Sequence, residues 1–332
     1  MWTTKRKSRR IKGGALLAVM WLSAALAAIG FSLANTVRGE TERASTAVDG
    51  LRSQYLAEAA VTRATLYMDW GRFHPEMPLY KPPAPRFLFN FPEGLAQVEL
   101  IPETSKFNLN TARPEDLVRL LLALGVRADQ AQEIVAAIVD WRTPSGGTAS
   151  SFDAYYESLR QPFRSPHTPF QDVEELLAVR GVTPDLFYGT WEHTPEGASQ
   201  RLYARTGLRD CVSVYGATER FDINTAPPPV LAAIGVPPDG IVALLQIRRQ
   251  RAFNKLEELQ PYAATAGAGF SRLRTGGNSI FTLRATVRLR LANGQLSDLR
   301  RTVAAQVKFM PPGYGASYHI LQWYENAPPQ QP

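Results

Sequence analysis

A run of 22 residues without a charge, Gly14 to Asn35 (GALLAVMWLSAALAAIGFSLAN), follows directly on a leader in which six of the first twelve residues are Lys or Arg. A helix needs about 20 mostly apolar residues to cross a bilayer core, and Ala15 to Ala34 supplies twenty. The positive-inside bias holds Lys5, Arg6, Lys7, Arg9, Arg10 and Lys12 in the cytoplasm and sends the rest of the chain across the membrane. A cleaved secretory signal fits less well. Its apolar core is only ~7–15 residues and ends at a small-x-small site, whereas here the small residues Gly13 and Gly14 precede a longer apolar stretch.

Beyond Asn35 the helical pattern continues. Val37, Ala44, Val48, Leu51, Tyr55, Ala59, Thr62 and Leu66 recur at three- and four-residue steps among charged neighbours, as in an amphipathic helix running to about Trp70. Gly39 and Gly50 are its soft points, and no proline interrupts it before Pro75. A helix of this kind suits packing beside copies or relatives of itself.

The net charge of +7 comes mostly from the leader. Removing its six basic residues from 37 leaves 31 against 30 acidic ones, a balance of +1, so composition gives no basic stripe for nucleic acid. With a single cysteine, Cys211, no intrachain disulfide can form. His74, His167, His193 and His319 are scattered, with no pair at ligand spacing. Metalloprotease, phosphate-loop and nucleophile-elbow motifs are absent, so no catalytic centre is expected.

Residues 71–92 read as an irregular Pro- and aromatic-rich connector, and Gly94 to Pro102 (GLAQVELIP) as a short strand. The middle, about 105–265, reads as short helices joined by Gly-Val turns. FNLNTA at 107–112 and FDINTA at 221–226 each precede a helix and such a turn, and a further segment, FQDVEELLAVRGVTPDLFYGTW, has its own. Asn110 or Thr111 is expected to cap the first helix. Further on, FTLRATVRLRLA, Asn293-Gly294 and LRRTVAAQVKF spell an antiparallel hairpin. Its buried face is read as Phe281, Leu283, Ala285, Val287, Leu289 and Leu291 against Leu299, Val303, Ala305, Val307 and Phe309, with Thr282, Arg284, Thr286, Arg288 and Arg290 on a solvated face. Residues 311–332 read as a Pro-rich tail.

The INTA-helix-Gly-Val-helix pattern resembles the helix-hairpin-helix unit, in which backbone N–H groups of a glycine-rich turn meet a phosphate. That turn usually carries two glycines. LGVRA, RGVTP and IGVPP keep one each, and two of the three follow it with a proline that has no N–H. The packing scaffold survives in this reading and the phosphate cradle does not. A membrane-anchored DNA-uptake receptor is therefore the alternative reading, and nucleic acid is not an expected partner.

Taken together, the KGGALLAVMW junction, KFNLN, DW…FDAYYESL…PF…DVEELLAVRGVTPDLF and FDINTAPPPVLAAI resemble, in order and spacing, the K-subunit minor pseudopilin of type II secretion (general secretion pathway protein K). The resemblance implies an α+β fold: a long N-terminal transmembrane and amphipathic helix, a pseudopilin-like α/β domain with an antiparallel sheet, and a large all-helical insertion containing helix-hairpin-helix-like repeats. The expected boundaries are a leader at 1–13, a transmembrane part at 14–35, a periplasmic helix at 36–70, the α/β domain at 71–104 and 266–310, the insertion at 105–265 and the tail at 311–332. It further implies a prepilin leader cut by a peptidase that also methylates the new N-terminus, between Gly13 and Gly14 or between Gly14 and Ala15. Most pseudopilins carry a glutamate five residues into the mature chain. That place is Ala18 here, or Val19 under the second cut, and its absence is typical of the K subunit and suits the filament tip. The implied partners are the H, I and J minor pseudopilins, the major pseudopilin, the inner-membrane platform and the prepilin peptidase. The implied location is the inner membrane of a Gram-negative bacterium, single-pass, with the globular part periplasmic. Some relatives bind calcium after the DW motif. Here that loop reads DWRTPSGGTASSFD and keeps only Asp140, Asp153 and Glu157 as candidates, so no strong site and no obligatory cofactor is expected.

Overall fold

The computed structural model describes residues 14–74, 76–77, 79–80, 85–193, 202–216, 219–277, 279–311 and 313–327. Gly14–Phe73 form one 60-residue helix, α1. Two units divide the chain at Ser53. In the first, α1 has no other element to pack on, and the side chains of 14–34 are all exposed.

In the second unit α1 buries Leu56, Ala57, Ala60, Val61, Ala64, Thr65 and Met68, at the three- and four-residue steps of one helix face. This is not the stripe read from the sequence: Leu51, Tyr55, Ala59, Thr62 and Leu66 are exposed, because the face rich in alanine is the one that lets the sheet approach the helix closely. The chain continues through strands β1 (Arg86–Phe91) and β2 (Gly94–Pro102) and then leaves the sheet. The excursion starts with β3 (Phe107–Asn108) and helices α2 (Pro114–Ala123), α3 (Ala128–Arg142), α4 (Ser151–Glu157) and α5 (Pro184–Tyr188). A hairpin of β4 (Trp191–His193) and β5 (Leu202–Ala204) follows, then β6 (Val212–Ser213) and β7 (Phe221–Asp222). Helices α6 (Pro228–Ala233), α7 (Pro238–Gln250) and α8 (Ala263–Ala266) and strand β8 (Leu273–Arg274) close it. The chain re-enters the sheet as β9 (Ile280–Leu289), β10 (Arg301–Phe309) and β11 (Tyr318–Tyr324).

The sheet is antiparallel throughout, in the order β1-β2-β9-β10-β11. Its period of two sends Val98, Leu100, Leu283, Ala285, Val287, Val303, Ala305 and Val307 to one face, where they form a core with α1. The fully buried alanines 57, 60 and 64 let the helix backbone lie close to these strands. A second core fills the helical excursion.

Several sequence expectations change. The tail at 311–332 contains β11, whose pairing with β10 completes the sheet. The connector at 71–92 contains β1, and α1 runs on to Phe73. The insertion is not all-helical, and it reaches Arg274 rather than 265, because β7 pairs in parallel with β8. Leu299 is 80% exposed and Leu291 46%, since β9 ends at Leu289 and β10 starts only at Arg301. The face expected to be solvated is covered at Thr282 and Arg284, because the excursion folds back over it: Glu103 accepts from the Thr282 hydroxyl, and Asp210 lies 3.7 Å from Arg284 Nη2. Arg290, past the end of β9, is exposed as expected.

Replacing Ala60 by Leu is expected to overpack the helix–sheet contact and lower stability by about 1–3 kcal/mol in urea unfolding. The same change at exposed Ala47 should stay within about 0.5 kcal/mol.

Candidate functional site

Two regions carry the residues that the sequence singles out. The first is the start of α1. Gly14 is its first residue and Ala15 its second, and Ala18 and Val19 lie on the exposed surface of its first turns. Gly13 and the basic residues Lys5, Arg6, Lys7, Arg9, Arg10 and Lys12 lie outside the described residues. Among the described residues, α1 is the one helix long and apolar enough to cross a membrane.

The second region is the helical body, where the two INTA segments prove to head two copies of one unit. Asn110 accepts from Phe170 N (2.7 Å) and donates to Phe170 O (3.0 Å). Asn224 brackets Phe253 in the same way, at 2.8 and 3.0 Å. Arg142 at the end of α3 donates to the carbonyls of Leu109 and Ala112, and Arg248 of α7 donates to that of Ala226. Glu175 Oε1 accepts from the backbone of Gln171 and Asp172, and Glu258 Oε1 from that of Asn254 and Lys255. Each copy thus ties an N-T-A turn to a later F-x-x-[VL]-E-E-L turn by an asparagine that satisfies both backbone groups of one phenylalanine. Asn110 is therefore not a helix cap. Helix α2 starts from Arg113 with Pro114 in its first turn and no side-chain cap.

The copies meet face to face. The rings of Phe107 and Phe221 lie 4.6 Å apart, and Arg272 of the second copy grips Asp116 of the first with two 2.9 Å hydrogen bonds. Arg119 and Arg113 also reach Asp116, which is 2% exposed. Burial alone would raise this carboxyl, but the hydrogen bonds from Arg272 and Arg119 outweigh it and bring it down to about 2.

In this fold the glycine turns are covered by the chain itself. Gly125, Gly181 and Gly235 all have positive φ. Arg205 lies over Gly125 and donates to Leu124 O, Ile134 lies against Gly181, and Gly269 donates to Gly235 O at 3.3 Å. Between the Gly125 and Gly181 turns lies a partly open cavity of about 340 Å³ that also reaches Glu133, Asp185 and Arg205. Cys211 is fully buried and its thiol is pushed up by burial, which leaves it unreactive.

The calcium candidates are engaged by protein groups. Asp153 Oδ2 accepts from Ser150 N (2.9 Å) and faces His167 Nε2 (3.0 Å). His167 Nδ1 faces the Asp140 carbonyl (3.1 Å), Ser150 Oγ donates to Asp140 Oδ2 (3.1 Å), and Arg164 takes Glu157 at 2.6 Å. A carbonyl and an ionised carboxylate can only accept, so the His167 ring carries both N–H groups and is itself a cation. The hydrogen bond to Asp153 raises its pKa accordingly. Asp153 Oδ1 remains as a buried oxygen without a partner, far short of the six to eight oxygens calcium takes. All three carboxylates are engaged by protein donors. The sequence shows His167 only as one of four scattered histidines and carries no signal for this role; in the structure its φ of 47° is the single non-glycine positive φ among the described residues.

Replacing Asp116 by Asn is expected to cost about 2 kcal/mol at pH 7. Because the folded-state pKa is depressed, that stability is present above the unfolded value of about 3.8 and is lost as pH falls through 2. Urea unfolding from pH 7 to pH 2 should therefore show the two proteins converging.

The family model described as type II secretion system (T2SS), protein K, matches residues 104–189. Type II secretion system protein K of Pectobacterium carotovorum subsp. carotovorum is 34% identical over 84 residues, which is 24% of this chain and only 25% of that relative. The crystal structure of the GspK-GspI-GspJ complex from the enterotoxigenic Escherichia coli type 2 secretion system contains a chain that matches with a TM-score of 0.54 and 19% identity, covering 87% of this chain and 100% of that one. At that identity the likeness speaks to the fold: mixed α/β, with an antiparallel sheet and a helical body. The sequence likeness to type II secretion system protein K is thus confined to residues 104–189, and the wider likeness is one of fold.

Proposed function

We propose that this chain is a minor pseudopilin of type II secretion, an assembly protein without catalytic activity that sits at the tip of the pseudopilus and starts its growth. The observation that carries this reading is the match to protein K at residues 104–189 in a chain whose apolar segment begins at the Gly13-Gly14 pair, directly after the basic leader. In this reading the protein waits in the inner membrane, N-terminus cytoplasmic and body periplasmic, held by the first part of α1. A prepilin peptidase removes the basic leader at Gly13-Gly14 or Gly14-Ala15 and methylates the new N-terminus. The retained segment then packs against the helices of the H, I and J subunits, with Ala24, Ala25, Ala27, Ala28 and Gly30 permitting close approach.

Two features support the tip. Neither Ala18 nor Val19 can neutralise the N-terminal amine of a neighbouring subunit, so nothing needs to stand ahead of this one. A large body between β2 and β9 would also hinder repeated stacking along a thin filament. The repeated units read as helix-hairpin-helix relatives kept as scaffold. Coverage of Gly125 by Arg205 and of Gly181 by Ile134 counts against a phosphate cradle, and so against the DNA-uptake alternative.

N-terminal sequencing of the chain made with and without a prepilin peptidase tests the assignment. A new N-terminus at Gly14 or Ala15, seen only with the enzyme, is expected. An unchanged N-terminus, or a soluble product starting beyond residue 35, would refute it. For the loop at 140–157 we expect no dependence on calcium: excess calcium or a chelator should leave the melting temperature unchanged. Replacing His167 by Ala should lower it by several degrees, because the buried Asp153 carboxylate loses its cation.

A further inference from the structure

We propose that the seam between the sheet and the helical body is a proton-operated latch: protons held on Glu99 and on the Asp172–Glu174 pair keep the body seated on the sheet, and their loss loosens it. The seam lies on the face of β2, β9, β10 and β11 opposite α1, and it is unusually rich in buried acceptors that have no donor.

At one end Glu99 of β2 stands across from Arg284 of β9. Glu99 is 5% exposed, yet neither of its oxygens has a hydrogen bond. The nearest approach of Arg284 is 3.9 Å, and the same guanidinium is 3.7 Å from Asp210 in the helical body. One cation is thus divided between two carboxylates and hydrogen-bonds neither. Arg86, before β2 in the chain, is the other positive charge acting on Glu99. Next along the seam, Glu103 takes the Thr282 hydroxyl and Lys106 (3.3 Å) on Oε1, while its Oε2 and the Gln306 amide oxygen are buried without partners.

At the other end Asp172 accepts from Gln322 of β11 at 2.7 Å, the direct hydrogen bond between that edge strand and the body. Its neighbour Glu174, whose backbone N–H donates to Asp172 Oδ1 at 3.4 Å, leaves its own Oε2 buried and unpartnered. Two neighbouring carboxylates repel one another, which favours holding a proton on one of them. The charged and titratable groups facing this pair are Arg209 and Tyr215 from the helical body and Tyr324 from β11, and Glu103 acts on both tyrosines.

Burial, opposed by Arg284, Arg86 and the Gln97 side chain, pushes Glu99 up to about 7. Burial, then the hydrogen bond and charge of Asp172, pushes Glu174 up to about 7. Both folded-state values stand above the unfolded one, so the stabilisation is complete below about pH 4.5 and is lost as pH rises through 7. Ionisation would put charge on buried oxygens that Gln97, Arg284 and Arg209 offset only in part, and the least disruptive relief is to let water into the seam.

Hydrogen–deuterium exchange of the full chain in detergent, at pH 6.0 and pH 8.5 with intrinsic rates corrected, tests the latch. The backbone amides of 172–179, 208–213 and β11 are expected to lose about tenfold or more in protection between the two conditions, while those of α3 and of the α1 face of the sheet hold. The double variant Glu99→Gln, Glu174→Gln should keep its protection at pH 8.5. Equal seam protection in the unaltered protein at both pH values would overturn the proposal, and this comparison decides even if the double variant fails to fold. An equal loss of protection in a folded double variant would overturn it as well.

Discussion

The pairing of β2 with β9 is the constraint on which the rest of the molecule depends. Gly94 to Pro102 run antiparallel to Phe281 to Leu289 without a break in register, so the chain leaves the sheet at Pro102 and returns directly opposite it at Phe281. The cost of closing a loop grows slowly with its length, at about 0.6 kcal/mol per doubling. A body with its own core can therefore be inserted between two adjacent central strands without disturbing the sheet. The price is polarity. The sheet face turned toward the body carries Glu99, Thr282, Arg284 and Gln306 where α1 meets valines, leucines and alanines on the other. The two faces of one sheet thus hold their partners by different physics, dry packing on one side and hydrogen bonds with shared charges on the other.

The body repeats a single solution twice. In each copy an asparagine satisfies both backbone groups of a distant phenylalanine, and a glutamate oxygen satisfies the start of the turn that follows it. Side-chain brackets of this kind stand in for longer secondary structure, since most of the helices in the body are only five to ten residues long. The copies are not equal. Asn110 reaches 60 residues ahead to Phe170, and Asn224 only 29 to Phe253, and the longer first copy holds α4 and the loop closed by His167. Local chemistry has been replaced within a common frame, here by a protonated imidazole set between Asp140 and Asp153.

Much of the architecture could be read from periodicity. The existence and length of α1, the bounds of β2 and the inward set Leu283, Ala285, Val287 and Val303, Ala305, Val307 follow from the 3.6- and 2-residue repeats, but the packed face of α1 does not: the stripe through Leu51, Tyr55, Ala59, Thr62 and Leu66 faces outward. Strand β11 escaped because YHILQWY sits among prolines and glycines and its outward residues are apolar, so no alternation marks it. Asn110 looked like a helix cap because an asparagine ahead of a helix usually is one, and nothing local reveals a partner 60 residues away. The second half of each repeat was visible as FQDVEEL and FNKLEEL, but the two lie at different distances from their INTA segments.

The sequence by itself determined what short-range physics controls: a basic leader before twenty apolar residues, a helix continuing beyond them, paired strands near the C-terminus, and turns that have lost their second glycine. Only the tertiary structure decided which groups separated along the chain share one space. It placed Arg272 on Asp116, His167 between two aspartates, and Glu99 opposite an arginine already divided with Asp210. Those outcomes depend on burial and on distances of a few ångströms, and a linear pattern of residue types contains neither.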